Sequence, residues 1–278
     1  MKIITFVSAL LLCSGAFGQA AQFWNNYTFF NPSMTGLRYK HEGNIATMSQ
    51  INDSPFKNSG YFANYGARIK RLHGGVGVNY FRSSTFSSKT DYFNLNYSYH
   101  INLGEQTVLA LGASAGMFDS RVLSYYNFPD LTSYTTERAS EFTTNAGISL
   151  RYKSLTAGVG VRNLNQSWIT DSKGNSYRSE RTFNVFADHN WSVSDNFALA
   201  TSALAQTDMR GNFYSQLSAR AVIKGKYSAG AHVSNDMYGL SLGYEFDNRF
   251  NVGYSVNKYK YSPIRYALHE ITLGIRIK

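Results

Sequence analysis

Apolar residues alternate with small or polar ones along most of this chain, and most regularly between Lys226 and Val256. Tyr227, Ala229, Ala231 and Val233 are interleaved with Ser228, Gly230, His232 and Ser234; Tyr238, Leu240, Leu242, Tyr244 and Phe246 with Gly239, Ser241, Gly243 and Glu245. After Asp247-Asn248-Arg249 a third run sets Phe250, Val252, Tyr254 and Val256 against Asn251, Gly253 and Ser255. Side chains on a strand point to opposite faces with period two, so each run predicts a strand with one apolar and one small or polar face. Similar runs lie at 61–69, 76–80, 93–101, 109–117, 142–150, 155–161, 183–191, 197–205, 217–223 and 271–277, with a half-apolar one at 45–51. That makes roughly 14 predicted strands after Gly43.

Periodicity alone fits a soluble sandwich as well as a transmembrane barrel, and the connections separate the two. Short connections at 70–74, 102–105, 152–154, 192–195, 224–226 and 247–249 fall on one side of the predicted sheet; loops at 119–139, 163–180 and 257–265 fall on the other. Short turns on one side and long loops on the other are expected of an outer-membrane barrel, with the short turns in the periplasm. An even strand number returns both ends to that side, and closure removes the sheet edges. The expected fold is therefore all-β: a transmembrane antiparallel β-barrel of roughly 14 strands with a non-strand N-terminal segment. Loop 119–139 carries Tyr125, Tyr126, Phe128 and Tyr134 and is expected to fold onto something.

The chain start sharpens this. Lys2, the apolar stretch 3–12 and Ala16-Phe17-Gly18 read as a secretory signal peptide over residues 1–18. The stretch is too short to span a bilayer as a helix, and no later run reaches the required length. Cys13 is the only cysteine, and Leu12 before it is larger than lipid attachment wants, so the mature chain is expected to lack thiol chemistry. Residues 19–42 hold Phe23-Trp24-Asn25-Asn26-Tyr27 and Asn31-Pro32-Ser33-Met34-Thr35-Gly36, a turn signal rather than a strand. They are expected to plug the lumen or lie along the periplasmic rim, ahead of the barrel at 43–278.

The net charge is +10, or +9 once Lys2 is removed. It reads either as basic loops or as a field attracting anionic partners such as lipopolysaccharide or an acidic protein. Export makes nucleic acid an unsuitable partner. With the apolar face against outer-membrane lipid, the candidate lumen residues are Arg68, Arg151, Arg162, Arg220, Arg249 and Arg276, with Asp188, Glu245 and Glu270 as possible partners. They read as a polar network filling the interior, or as a lumen that binds an anionic or extended polypeptide.

Catalytic and cofactor signals are thin. No pair among the six histidines has the i, i+4 spacing of a helical zinc site, and His269-Glu270 would point to opposite faces of a strand. Lys173 occupies a ligand place in the calcium-like stretch 171–175, and Gly158-Val159-Gly160 does not extend to a dinucleotide fingerprint. His232-Val233-Ser234-Asn235 could set a base and a nucleophile on one strand face and looks like part of an outer-membrane phospholipase motif. Asp236 stands where that motif has Gly, and Ser234-Asn235-Asp236 is also a hairpin turn. No catalytic, metal or cofactor-binding residue is assigned, and the chain reads as non-enzymatic.

Taken together, the chain resembles the PorP/SprF family of type IX secretion system outer-membrane proteins over nearly all of its mature length. The resemblance rests on Asn31-Pro32-Ser33-Met34-Thr35-Gly36, on the Gly-rich strand Ala157-Gly158-Val159-Gly160-Val161-Arg162 running into Asn163-Leu164-Asn165-Gln166, on Val252-Gly253-Tyr254-Ser255-Val256-Asn257, and on His269-Glu270-Ile271-Thr272-Leu273. Asn257 stands where the family often has Asp, and the last strand ends in Ile277-Lys278 where many barrels end in an aromatic. The resemblance implies a non-enzymatic barrel in the outer membrane of a Gram-negative bacterium. It implies as partners periplasmic ring or peptidoglycan-binding components and a secreted adhesin-type client, which in gliding bacteria serves motility. The alternative is a passive channel or hydrophobic-solute transporter, and a barrel hydrolase stands third.

Overall fold

The alternation maps onto the two faces of one closed sheet. The computed structural model describes residues 22–51, 58–85, 88–125, 134–166, 168–170, 176–178, 180–260 and 267–278. Its strands are β1 (His41–Ile51), β2 (Ser59–Ile69), β3 (Gly74–Ser84), β4 (Ser88–Gly104), β5 (Thr107–Tyr125), β6 (Tyr134–Tyr152), β7 (Leu155–Arg162), β8 (Trp168–Thr170), β9 (Ser176–Arg178), β10 (Thr182–Ser194), β11 (Phe197–Thr207), β12 (Phe213–Ile223), β13 (Tyr227–Ser234), β14 (Met237–Phe246), β15 (Phe250–Tyr259) and β16 (Ala267–Ile277). Each barrel strand pairs antiparallel with the next, and β1 closes the ring on β16 from His41↔Ile277 to Ile51↔Ala267. The barrel has 14 strands; β8 and β9 form a separate hairpin in the connection between β7 and β10.

The faces are inverted relative to a soluble protein. On β14 Leu240 is 63% exposed while its neighbour Ser241 is 5% exposed, and the same contrast holds for Leu95 against Asn94 and Leu273 against Thr272. An apolar exterior around a polar interior is stable only where the exterior meets lipid. Tyr152, Trp191, Tyr227, Phe246 and Phe250 are exposed near the short-turn end, and Tyr61, Phe142 and Tyr238 toward the other. These are the two interfacial girdles of an outer-membrane barrel.

The turns of the periplasmic end follow from their residues. Asp247 and Asn248 both have φ near +50°, as do Lys224 and Gly225 in the turn before β13. Two successive left-handed residues match the twist of a tight hairpin, and Asp, Asn and Gly tolerate them best.

The expected loop 119–139 is corrected in part. β5 and β6 stay paired out to Tyr125↔Tyr134, so only the stretch between them, with Tyr126 and Phe128, lies outside the described residues. Above the membrane a strand needs no apolar face, so alternation fades while the backbone ladder continues. Asp119 holds that extension together by accepting from Arg138 Nε at 2.8 Å and Ser140 Oγ at 2.5 Å. The second expected loop contains the β8–β9 hairpin, and most of 257–265 is outside the described residues.

A lipid-facing charge at mid-strand tests the orientation. Leu240→Arg is expected to lower stability in liposomes by about 2–4 kcal/mol. Denaturant titration measures it, and a soluble barrel would show almost no change.

Candidate functional site

The lumen is occupied by the chain's own N-terminal residues. Residues 22–40 contain a 3₁₀ turn (Phe23–Asn25), a one-turn helix α1 (Tyr27–Phe30) and a second 3₁₀ turn (Pro32–Met34). Asn31 organises the last of these: its Oδ1 accepts from Ser33 N at 3.0 Å, and Pro32 supplies a preset φ at the first helical position. Phe23, Trp24, Tyr27, Phe30, Met34 and Leu37 are all buried and pack on Val108, Ala110, Phe186 and Leu204 of the wall. Tyr27 lies 4.8 Å from the Phe186 ring, and Phe29 touches Phe62, Phe81 and Tyr92. Each large side chain withdrawn from water contributes roughly 1.5–3 kcal/mol, so this small cluster is enough to seat the segment.

Glycines on the wall leave the room. A Cβ at Gly112 would overlap the Ser33 backbone, one at Gly147 the Asn31 amide, and one at Gly75 the Thr35 carbonyl. On the segment's own side Gly36 has φ +67° and lies against the Gly75 and Arg68 backbone.

A segment with little regular structure leaves its backbone polar groups to be satisfied by other means. Inward asparagines and serines of the wall do this. Asn79 donates to Thr28 O at 2.8 Å, Asn184 to Phe30 O at 2.9 Å and Ser98 to Ser33 O at 2.8 Å, while Asn44 and Asn64 fasten the Asn26 side chain, donating to its Oδ1 at 3.0 and 2.7 Å. Asn31 reaches the other way, from the segment to Val159 O at 2.9 Å.

Most of the expected lumen charges converge on the same segment. Arg68 donates from Nε to Gly36 O and from a terminal nitrogen to Leu37 O, at 2.8 and 2.6 Å, and Arg151 adds a bond of 2.6 Å to Leu37 O. Glu270 accepts from Gln22 N at 3.3 Å. Arg276 donates to Asn25 Oδ1 at 2.8 Å and stands 4.0 Å from Glu245. Arg220 covers the Trp24 ring at 4.4 Å, Arg162 the Phe29 ring at 5.0 Å, and Asp188 accepts from Tyr27 OH at 2.8 Å. Arg249 is different: it sits exposed in the turn before β15, where inward alternation has already ended. Sequence reasoning missed the Arg38–Glu42 ion pair of 2.7 Å, mostly buried, with the Arg38 guanidinium 4.8 Å over the Tyr27 ring. Its only signal was the i, i+4 spacing.

The His232 and Ser234 side chains do not meet as base and nucleophile. His232 Nε2 is bonded to Asn257, and Ser234 Oγ accepts from Met237 N at 2.9 Å as a turn cap. His269 bonds the Tyr254 hydroxyl on the outer face while Glu270 faces in. Among the described residues no cluster of three or more metal-ligating side chains occurs.

The periplasmic end is basic. The periplasmic turns and chain ends carry Lys40, Lys70, Arg71, Lys153, Lys224, Lys226, Arg249 and Lys278 against Glu105, Asp195 and Asp247. Behind that rim Arg68, Lys70, His73, His100 and Arg151 line an open cleft.

An apolar-outside barrel whose lumen holds its own N-terminal residues is an outer-membrane β-barrel of the filled kind. The family model described as type IX secretion system membrane protein PorP/SprF matches residues 17–275, and the chain belongs to that family. No curated protein sequence matches it. Among solved structures it is similar to the toluene transporter TodX of Pseudomonas putida, at 8% identity and a TM-score of 0.52 over 96% of this chain and 95% of that one. It is also similar to a FadL homologue of Pseudomonas aeruginosa, at 11% identity and 0.57 over 90% and 93%. At such identities the likeness is one of fold.

Two substitutions test the seat of the segment. Gly112→Val suits a strand but overlaps Ser33, and is expected to lower stability by about 1–3 kcal/mol and to open residues 22–40 to protease added at the periplasmic face. Gly104→Val, with open space around it, leaves the digestion pattern unchanged. Glu42→Leu strands the Arg38 charge and lowers stability by about 3 kcal/mol. Adding Arg38→Met to Glu42→Leu restores much of that loss in the same unfolding assay.

Proposed function

We propose that this barrel is a non-enzymatic docking component of the type IX secretion system, holding an adhesin-type client at the cell surface and machinery components in the periplasm. One observation carries the reading: the lumen is filled and bonded on all sides by residues 22–40, so the molecule offers two faces rather than a pore. On the outer side, the β5–β6 extension and the segment 163–180 with its β8–β9 hairpin give a client something to hold. On the inner side, the basic rim favours an acidic partner, such as a ring or peptidoglycan-binding component, by raising its encounter rate. In a gliding bacterium the client would be a motility adhesin. The uses already found for His232 and Ser234 support the absence of hydrolase chemistry.

A second reading, a channel or transporter for hydrophobic solutes, draws on one feature. Met48, Phe62, Met237 and Leu268 form an apolar cluster inside the lumen, with Phe29 and Phe81 packed against it.

Affinity purification of the tagged protein from its own outer membrane, followed by mass spectrometry, separates the two. Docking predicts co-recovery of periplasmic ring components or one large secreted adhesin, lost when 119–139 or 163–180 is deleted with the barrel still inserted. A solitary barrel that passes an apolar solute in liposomes would replace it with the transporter.

A further inference from the structure

Two guanidiniums close around one oxygen at the periplasmic mouth of the lumen. Arg68 and Arg151 both donate to Leu37 O, each at 2.6 Å, and Arg68 also reaches Gly36 O at 2.8 Å. Beside them His100 Nε2 lies 3.2 Å from Thr35 O. Every acceptor in this group is a neutral carbonyl. By contrast Arg38 is paired with Glu42, and Arg276 stands 4.0 Å from Glu245. Like charges held on one carbonyl repel each other, and among the described residues neither Arg68 nor Arg151 has an ion pair to offset that repulsion.

Both guanidiniums line an open cleft of about 210 Å³ together with Lys70, His73, His100 and Asn102, and no acidic residue is in its lining. Lys70 and His73, around the β2–β3 turn, and Asn102, near the end of β4, are exposed at its entrance; Arg68, His100 and Arg151 are half-buried behind them. One water needs roughly 10–15 Å³ of such space, so the cleft admits an acidic side chain with the peptide unit that carries it, while a folded domain stays outside. A guanidinium matches a carboxylate with two parallel N–H donors. The cleft lies inside the wall, out of reach of lipid headgroups around the barrel. It opens toward the periplasm, where the turns after β2 and β6 add Arg71 and Lys153, so a ligand with more than one carboxylate finds further partners at the rim.

We propose that this cleft receives an acidic, extended segment of a periplasmic protein, one carboxylate entering between Arg68 and Arg151 and a neighbouring one meeting Lys70 at the entrance. This rests on the docking reading and gives its periplasmic contact a place and a chemistry. The same two arginines hold Leu37, so the partner touches the fastening of residues 22–40 itself.

The test titrates the whole purified protein, in a non-ionic detergent, by calorimetry with three probes: a capped hexapeptide of alternating Gly and Glu, its Gly/Gln counterpart, and inorganic phosphate. The acidic peptide is expected to bind at least about tenfold tighter than the other two, the worth of one charge-assisted pair. Lys70→Glu reverses a charge on an exposed turn and abolishes that preference. Lys226→Glu, the same reversal on the far side of the ring in the β12–β13 turn, weakens it no more than about twofold, since its distance exceeds the range of screened charges. Arg151→Gln removes the inner donor and also abolishes the preference; Lys70→Glu carries the test if that variant fails to fold. Equal binding of the two peptides, a preference that survives both Lys70→Glu and Arg151→Gln, or equal weakening by Lys70→Glu and Lys226→Glu overturns the proposal. Phosphate binding as tight as the acidic peptide overturns it too, leaving a site for a free anion only. Recovery of periplasmic components from the native outer membrane is scored separately: a barrel that recovers them without a peptide preference loses this inference alone, and one with the preference that recovers none loses the docking reading.

Discussion

Every backbone N–H and C=O at membrane depth must find a partner within the protein, because lipid offers none. A sheet meets that demand only by closing on itself, and the pairing of β1 with β16 is the closure on which everything else depends. Once the wall is closed, alternation forces half of its side chains inward, and with lipid outside they are the polar half. The interior therefore fills with asparagines, serines and arginines such as Asn44, Asn64, Ser98 and Arg68, whose donors and acceptors need partners in turn. Residues 22–40 supply them. The segment is in the lumen for the same reason that the lumen is polar.

The way it is held reflects the difference between apolar burial and polar fastening. Phe23, Trp24, Tyr27 and Phe30 leave water and provide the driving force, but apolar contact is indifferent to register. The directional bonds from Asn184 to Phe30 O, Asn79 to Thr28 O and the two arginines to Leu37 O set the register. Paired charges such as Arg38 and Glu42 add little over an apolar pair of the same shape, since each loses its hydration on entry. Their contribution is that the wrong arrangement would leave a buried charge bare.

The barrel was legible in the sequence because its signals repeat. Leu240, Leu242 and Tyr244 share a face of β14, the same alternation recurs along the other runs, and the turns at 224–226 and 247–249 announce themselves through Lys-Gly and Asp-Asn. Legibility stopped where the membrane stops. Between Asp119 and Tyr125 the strand has water on its outer side, so no apolar period records it. Within the site, the inward register of Arg68, Arg151, Arg220, Arg276 and Glu270 could be counted from the strands, while Arg249 could not, because counting fails in a turn. The contacts of the N-terminal segment were illegible for a deeper reason. Nothing local in Asn26 or Leu37 indicates that their partners are Asn44, Asn64, Arg68 and Arg151; those pairings exist only after the wall has curved around them.

That dependence has an order built into it. The segment begins the described chain, yet its first residue is held by Glu270 and Leu37, near its other end, by Arg151, so its two halves depend on strands that lie at very different distances along the chain. Gln22 and Glu270 are separated by 248 positions, and β16, which carries Glu270, is also the strand that closes the ring. Long-range contacts of this kind cannot form before the intervening chain has paid its ordering entropy. The site for Gln22 and Asn25 is therefore complete only in the closed barrel, where β16, which holds both residues, is paired with β15 and β1. A barrel that has not closed has neither its edge protected nor its lumen filled, so the same step that makes the molecule fit for lipid also completes the seat of its N-terminal residues.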